Sequence, residues 1–449
     1  MSLPQILLGL SATLSVWYLS RLAVRLRRST ASHSSRSNVN TFRNTLEELE
    51  NVSYKGIDML KVIPPATFAG YAVIGGSGFL GTYIVRLLIM RGETNIRILD
   101  INPPDTLDHP AVSFVKTDIT SLESVRSALT APFPATGGPP TVIFHTAAVI
   151  RFWERAAYCF DASYRVNVKG TENVLSAAKE LPSVMVVYTS SADTILPGPK
   201  FLRIDWDSIP ASVRDGNALP RHLHETCYPR SKRMAEQLVM NASLNEGLKT
   251  GILRPGNTIL GPNDRLISST LTMQQLPAWD QPWTSTNICV WDAAAAHLLY
   301  EDALRRSPEE VSGEAFLITG RGSPWNIEDI RTAIKHYATR ELVFIELPPL
   351  LIFLMAHIIE LFLFLRYIVL YPLALVSGGR PSLVPPWLGP AVFLQPGTLD
   401  VQLCDNIIDD SRARKVLGYQ PQWDTAQAIR YSVDEIQSGN AAADHGLKA

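Results

Sequence analysis

Residues 71–81 read Tyr71-Ala72-Val73-Ile74-Gly75-Gly76-Ser77-Gly78-Phe79-Leu80-Gly81. A short apolar run of strand type is followed by a glycine-rich turn, and then by Leu80, Ile84, Leu87 and Leu88 at helical spacing. Strand, tight turn and helix in this order predict a phosphate-binding corner of a parallel α/β sheet. Such a corner needs positions without a Cβ, so that the chain turns sharply, a pyrophosphate approaches the backbone and the helix lies close to its strand. The free N–H groups at the helix start, over Gly78, Phe79 and Leu80, then face the anion together with the positive end of the helix dipole. Two registers fit the glycines: Gly75, Gly78 and Gly81, or Gly76, Gly78 and Gly81. The spacing alone does not separate them.

A second strand, Ile96-Arg97-Ile98-Leu99, ends in Asp100, at the separation where a carboxylate accepts hydrogen bonds from an adenosine ribose. A negative charge there repels a 2′-phosphate, which favours NAD over NADP. Farther along, Tyr228-Pro229-Arg230-Ser231-Lys232 sets a phenol and an ammonium on one helix face. A phenol of ordinary pKa near 10 is a poor base at neutral pH, and a nearby ammonium lowers it by favouring the phenolate. Tyr228 is therefore the candidate that takes a proton from an alcohol, with Lys232 tuning it or holding the nicotinamide ribose. The strand Val184-Met185-Val186-Val187-Tyr188 runs into Thr189-Ser190-Ser191-Ala192 and brings hydroxyls to the carboxyl end of the sheet, where such folds bind ligands.

With these motifs in place the chain resembles the 3β-hydroxysteroid dehydrogenase family of the extended short-chain dehydrogenases, over residues 70 to 425. The resemblance implies Asp118, in Lys116-Thr117-Asp118-Ile119, as an adenine contact. It implies Ala147, in His145-Thr146-Ala147-Ala148, as a neighbour of the cofactor, and Ser191 rather than Ser190 as the catalytic hydroxyl. Asn167-Val168-Lys169-Gly170-Thr171, Leu253-Arg254-Pro255-Gly256-Asn257 and Asn287-Ile288-Cys289-Val290-Trp291-Asp292 follow in the family's order. Two features depart from it. The stretch between Ser191 and Tyr228, with Phe201, Ile204, Trp206 and Ile209, reads as an enlarged loop on the substrate side. Trp291 stands where a small or polar residue is usual. Both are expected to touch the substrate pocket.

The remaining chain sets bounds. The fold class expected is α/β, a Rossmann-type doubly wound parallel sheet with a smaller C-terminal substrate lobe and an N-terminal membrane helix. Residues 1–28 are the expected anchor, 29–67 a tether and lead-in, and 68–449 the dehydrogenase domain, its NAD-binding core over 68–260 and its substrate lobe over 261–449. A net charge of -1 offers no field for nucleic acid. Four scattered cysteines, Cys159, Cys227, Cys289 and Cys404, lack metal or redox spacing and fit reduced thiols. His222, His224 and Glu225 have no second cluster, so no metal is expected.

Two apolar blocks point to a membrane. Leu3 to Leu19 is followed by Arg21, Arg25, Arg27 and Arg28, a charge order that puts the catalytic part in the cytosol. Between residues 347 and 376 a second block is interrupted by His357, Glu360 and Arg366. It reads as a helix or helical hairpin dipping into one leaflet with its polar residues at the surface or against protein, the alternative being a buried helix pair. With the resemblance, the expectation is an NAD-dependent enzyme of the endoplasmic reticulum membrane, facing the cytosol, that oxidises the 3β-hydroxyl of a sterol or sterol-like triterpenoid with loss of a C4 carboxylate as carbon dioxide, the alternative being a non-decarboxylating 3β-hydroxysteroid dehydrogenase/isomerase. A homodimer, or association with other sterol-modifying enzymes, is the partner expectation. Nucleotide-sugar epimerases and carbonyl reductases share the constellation, and a non-catalytic NAD-binding scaffold is the alternative outside enzymes.

Overall fold

The computed structural model describes residues 3–26, 46–105, 107–133, 137–196, 211–214, 226–279, 283–377, 384–401 and 406–439. Part of the expected tether, the loop residues Phe201, Ile204, Trp206, Ile209, His222, His224 and Glu225, and Cys404 lie outside them.

Seven parallel strands form the central sheet: β1 (Gly70–Ile74), β2 (Asn95–Asp100), β3 (Val112–Lys116), β4 (Val142–His145), β5 (Met185–Thr189), β6 (Lys249–Pro255) and β7 (Ala315–Ile318). Their order is 3-2-1-4-5-6-7, so the winding reverses between β1 and β4. β1, β4 and β5 are buried along their whole length, which is why they read as unbroken apolar runs rather than as alternating ones. A ligand site is expected at the carboxyl ends of the strands beside that reversal. The glycine turn and the Thr189-Ser190-Ser191 segment both fall there.

The smaller lobe is built from later insertions. Ala211–Arg214 pairs with Asn406–Asp409, which runs beside Thr284–Ser285, and Thr284–Ser285 in turn pairs with Trp325–Asn326. Asp292, buried at the start of helix Val290–Arg306, accepts the backbone N–H groups of Gln422 and Trp423 at 2.8 and 3.0 Å. That carboxylate ties the carboxyl-terminal segment to the core just before helix Thr425–Gln437. Its neighbour Trp291, expected to touch the pocket, packs on the glycine-turn helix. Its ring packs edge-on against Tyr83, 4.7 Å between centroids, among core side chains, because position 291 faces the glycine-turn helix Phe79–Met90.

The two apolar blocks differ from expectation in instructive ways. The first does form a helix, Leu3–Leu26, but among the described residues only Pro349–Val376 is long and apolar enough to cross a membrane. The expected N-terminal membrane helix is therefore not supported. Ser11, Thr13, Ser15 and Ser20 dilute it, and its Leu22 is buried against Ile352, Phe353 and Ala356 of the second block. The second block is one continuous helix, Pro349–Ser377, and neither a hairpin nor a buried pair. Leu351, Leu354, Ile358, Leu361, Leu365, Val369 and Leu373 stand exposed along it. Of its polar residues, Glu360 pairs with Arg155 outside the helix, whereas His357 contacts the carbonyl of Phe353 within it at 2.9 Å.

Candidate active site

The glycine turn resolves the question of register. Gly75 has φ of 81°, a conformation that side chains disfavour, and a Cβ there would lie 2.6 Å from the backbone nitrogen of Ala147. A Cβ on Gly81 would lie 2.1 Å from the carbonyl oxygen of Gly75, and the N–H of Gly78 donates to that same oxygen at 3.0 Å. The turn is thus built on Gly75, Gly78 and Gly81. Gly76 is confined separately, by Val73 and Ile98. Gly78 caps helix Phe79–Met90 without a side-chain hydrogen bond, leaving N–H groups at its start open to a phosphate.

Asp100 closes β2 beside this turn. Its carboxylate accepts from the N–H of Ser77 at 3.2 Å and of Asn102 at 3.3 Å, which fixes it at the rim of the cradle. Arg97 offers no counter-charge for a 2′-phosphate. Its guanidinium is buried, donates to the carbonyls of Ala128, Ala131 and Pro132, and lies 4.3 Å from the centroid of the Phe133 ring. Asp118 follows β3, exposed, with one oxygen accepting from the N–H and hydroxyl of Thr120. Ala147 follows β4 and donates its N–H to Ile74 at 3.1 Å, lining the turn from the other side. An acidic rim, a Cβ-free turn and an uncapped helix start together fit NAD.

Tyr228 and Lys232 lie in the first turns of helix Cys227–Glu246, where Pro229 is tolerated because the first N–H groups of a helix lack partners anyway. Three contacts fix this helix. The N–H of Cys227 donates to the carbonyl of Glu154 at 2.7 Å, the amide of Asn167 donates to Ser231 and to the carbonyl of Val149, and buried Glu236 takes a two-pronged bond from Arg254 on β6. Ser191, buried just past the end of β5, stands beside the Tyr228 hydroxyl.

The electrostatics refine the expected roles. Burial pushes the Tyr228 phenol well above its usual range, the charge of Asp193 pushes it further, and the neighbouring Ser191 hydroxyl brings it partly back. Burial pulls the Lys232 ammonium down to about 7, against the field of Glu236. The lysine does not meet the tyrosine hydroxyl directly. It donates to the carbonyl of Thr189 at 2.7 Å and stands 4.7 Å from the centroid of the Tyr188 ring, because the helix turns its end toward β5.

Asp193 escaped the sequence reading, although it stands two residues beyond Ser191. Its N–H donates to the Ser191 hydroxyl oxygen at 3.2 Å, and its carboxyl stands beside the polar side chains of Ser191 and Asn257. Burial raises that carboxyl to about 6. The run Ser190-Ser191-Ala192-Asp193 was the available signal.

The model of the 3-beta hydroxysteroid dehydrogenase/isomerase family matches residues 72–342. The chain belongs to that family. It is an oxidoreductase acting on a hydroxyl group. The chain is 28% identical over 385 residues to a decarboxylating sterol-4-alpha-carboxylate 3-dehydrogenase of Candida albicans, covering 81% of this chain and 96% of that one. It is 36% identical to a 3 beta-hydroxysteroid dehydrogenase/Delta 5-->4-isomerase of vaccinia virus, over 55% of this chain and 70% of the other. Among solved structures it is similar in fold to the UDP-glucose 4-epimerase of Thermus thermophilus in complex with NAD, with a TM-score of 0.54 and 20% identity, covering 82% of this chain and 98% of that one. The UDP-glucose 4-epimerase of Thermotoga maritima gives 0.57 and 16%, over 83% and 100%.

Proposed function

We propose that this enzyme oxidises the 3β-hydroxyl of a sterol or sterol-like triterpenoid and that a carboxylate at C4 then leaves as carbon dioxide. The observation that carries the reading is the Tyr228–Ser191 contact beside an NAD-type cradle, in a chain alike over most of its length to a decarboxylating sterol dehydrogenase. Tyr228 takes the hydroxyl proton, and Ser191 beside it orients the substrate oxygen. Lys232, turned toward Thr189, holds the nicotinamide ribose. Bound NAD supplies the acceptor for the hydride leaving C3. The residues proposed to hold it are Gly75, Gly78, Phe79, Leu80, Gly81, Asp100, Asp118 and Ala147 with Tyr228 and Lys232.

Oxidation at C3 turns a 4-carboxylate into a β-keto acid. Its bond to the carboxyl carbon breaks with the electron pair passing into the new carbonyl, so one site serves both steps. A water-soluble substrate would have no use for the exposed apolar face of Pro349–Ser377, which supports attachment to the endoplasmic reticulum membrane with the catalytic domain in the cytosol.

The test is NADH formation by detergent-solubilised enzyme with a 4α-carboxy-3β-hydroxysterol and with the same sterol lacking the carboxylate. NADH and carbon dioxide released together from the acid, both falling about a thousandfold in Tyr228→Phe, are expected. NADH from the neutral alcohol alone, with a conjugated enone as product, would favour the dehydrogenase/isomerase reading that the viral relatives support.

A further inference from the structure

Trp153 is 5% exposed, and its indole N–H has no hydrogen-bond acceptor among the described residues. A buried donor without a partner is uncommon enough in folded proteins to call for a ligand. The ring is held firmly. Phe393 packs edge-on against it at 4.6 Å, and a Cβ on Gly397 would lie 2.6 Å from the Trp153 carbonyl oxygen.

Two guanidinium groups flank this ring. Arg151 lies 5.8 Å from its centroid and is neutralised by a two-pronged pair with Glu154. Arg265 lies 6.0 Å away at the start of helix Arg265–Thr272, just past the Gly261-Pro262 loop. Among the described residues Arg265 has no ion pair or hydrogen bond, and its side chain is exposed beside the ring. The adjacent Asp264 does not serve it, because both its oxygens accept backbone N–H groups, from Gly261 and Ile267. The site thus sets one orphan buried N–H donor beside one solvent-facing positive charge.

We propose that Trp153 and Arg265 form a receptor for a carboxylate carried by the substrate. A carboxylate accepts from an indole N–H and a guanidinium at once, and Arg is the residue suited to it. The position fits the chemistry. Glu154, next to Trp153, accepts the N–H of Cys227, so the receptor adjoins the strap that holds the Tyr228 helix. A carboxylate at C4 is one carbon from the reacting C3, and anchoring it presents the C3 hydroxyl to Tyr228. Its loss as carbon dioxide removes the anchor and favours product release. The other source of an anion here is the cofactor pyrophosphate, since Gly261 also packs against Phe79 of the glycine-turn helix.

This inference rests on the decarboxylating reading above, and the experiment separates the two. Detergent-solubilised full-length enzyme is assayed as wild type, Arg265→Gln and Trp153→Phe, with the 4α-carboxysterol, with the sterol lacking the carboxylate, and with varied NAD. The expected result is a loss of kcat/KM on the acid of about tenfold to a hundredfold in Arg265→Gln and about fivefold in Trp153→Phe. Values on the neutral sterol and the KM for NAD stay within about twofold. Equal losses on both sterols, or a raised KM for NAD, overturn the receptor and assign the arginine to structure or to the pyrophosphate. A wild type that turns over the neutral sterol and not the acid overturns both readings, whereas unchanged variants of an acid-consuming wild type overturn the receptor alone.

Discussion

Arg155 and Glu360 meet fork to fork, with Nε and a terminal nitrogen of the arginine each 2.7 Å from a carboxylate oxygen, across 205 residues of sequence. The contact joins the apolar helix Pro349–Ser377 to the segment whose Glu154 carbonyl holds Cys227, next to Tyr228. Tyr158 stacks on Tyr367 at 4.6 Å and adds an apolar clamp in the same place. Both charged groups keep contact with solvent, so the pair contributes modestly in water and more where lipid lowers the local dielectric. Arg155→Gln and Glu360→Gln are each expected to lower kcat/KM about twofold to fivefold in lipid vesicles, with less effect in detergent. The reversed pair, Arg155→Glu with Glu360→Arg, is expected to recover most of the loss, and failure to do so would show that the helix position does not reach Tyr228.

Asp193 and Tyr228 both stand beside the Ser191 hydroxyl, whose single proton can serve one acceptor at a time. Below about pH 6 the Asp193 carboxyl is neutral, and above it the carboxylate raises the tyrosine. Removing that charge lowers the Tyr228 pKa, so Asp193→Asn is expected to move the rising limb of kcat/KM for alcohol oxidation toward lower pH by several tenths of a unit to about one. A pH–rate profile from 5.5 to 10 checks this. A limb that stays in place would detach Asp193 from the chemistry.

How far the sequence could be read followed the range of the contacts involved. The glycine turn, Asp100 and the Tyr228/Lys232 pair depend on spacing within a strand or a helix turn, and that spacing is visible in the chain. The choice of Gly75 over Gly76 needed a backbone angle and the approach of Ala147, which lies 72 residues away. The partner of Lys232 was misjudged because i, i+4 spacing tells which helix face a side chain shares but not that β5 presents a carbonyl to it. Trp291 and the unbroken apolar helix were hidden for a related reason: composition gives hydrophobicity, and only packing decides whether it meets the core, a pocket or solvent.

The separation of Arg97 from Asp100 bears on cofactor choice. Arg97 is buried and directs its guanidinium to the carbonyls of Ala128, Ala131 and Pro132, away from a 2′-phosphate, while Asp100 repels one. Asp100→Asn is expected to lower kcat/KM with NAD about tenfold and to raise the NADP-to-NAD ratio by a similar factor, through lost ribose bonds and lost repulsion. Initial rates with each cofactor measure both. An unchanged ratio would mean that the carboxylate does not face the ribose.

Gly81 and Gly92 begin and follow the same helix yet should respond to alanine in opposite ways. A Cβ at Gly81 would come 2.1 Å from the Gly75 carbonyl oxygen, a backbone atom of the phosphate turn that cannot move without opening the cradle. Gly92 has φ of 91° and nothing within 4 Å of its would-be Cβ, so alanine there meets only backbone strain of about 1 to 2 kcal/mol. Gly92→Ala is therefore expected to melt a few degrees lower while keeping the full thermal shift that saturating NAD produces. Gly81→Ala is expected to lose that shift, with NAD affinity weakened about a hundredfold or more, because displaced N–H groups no longer converge on the pyrophosphate. Thermal melts of both variants with and without NAD distinguish a damaged cradle from a merely strained chain. A preserved NAD shift in Gly81→Ala would overturn the location of the phosphate at this turn.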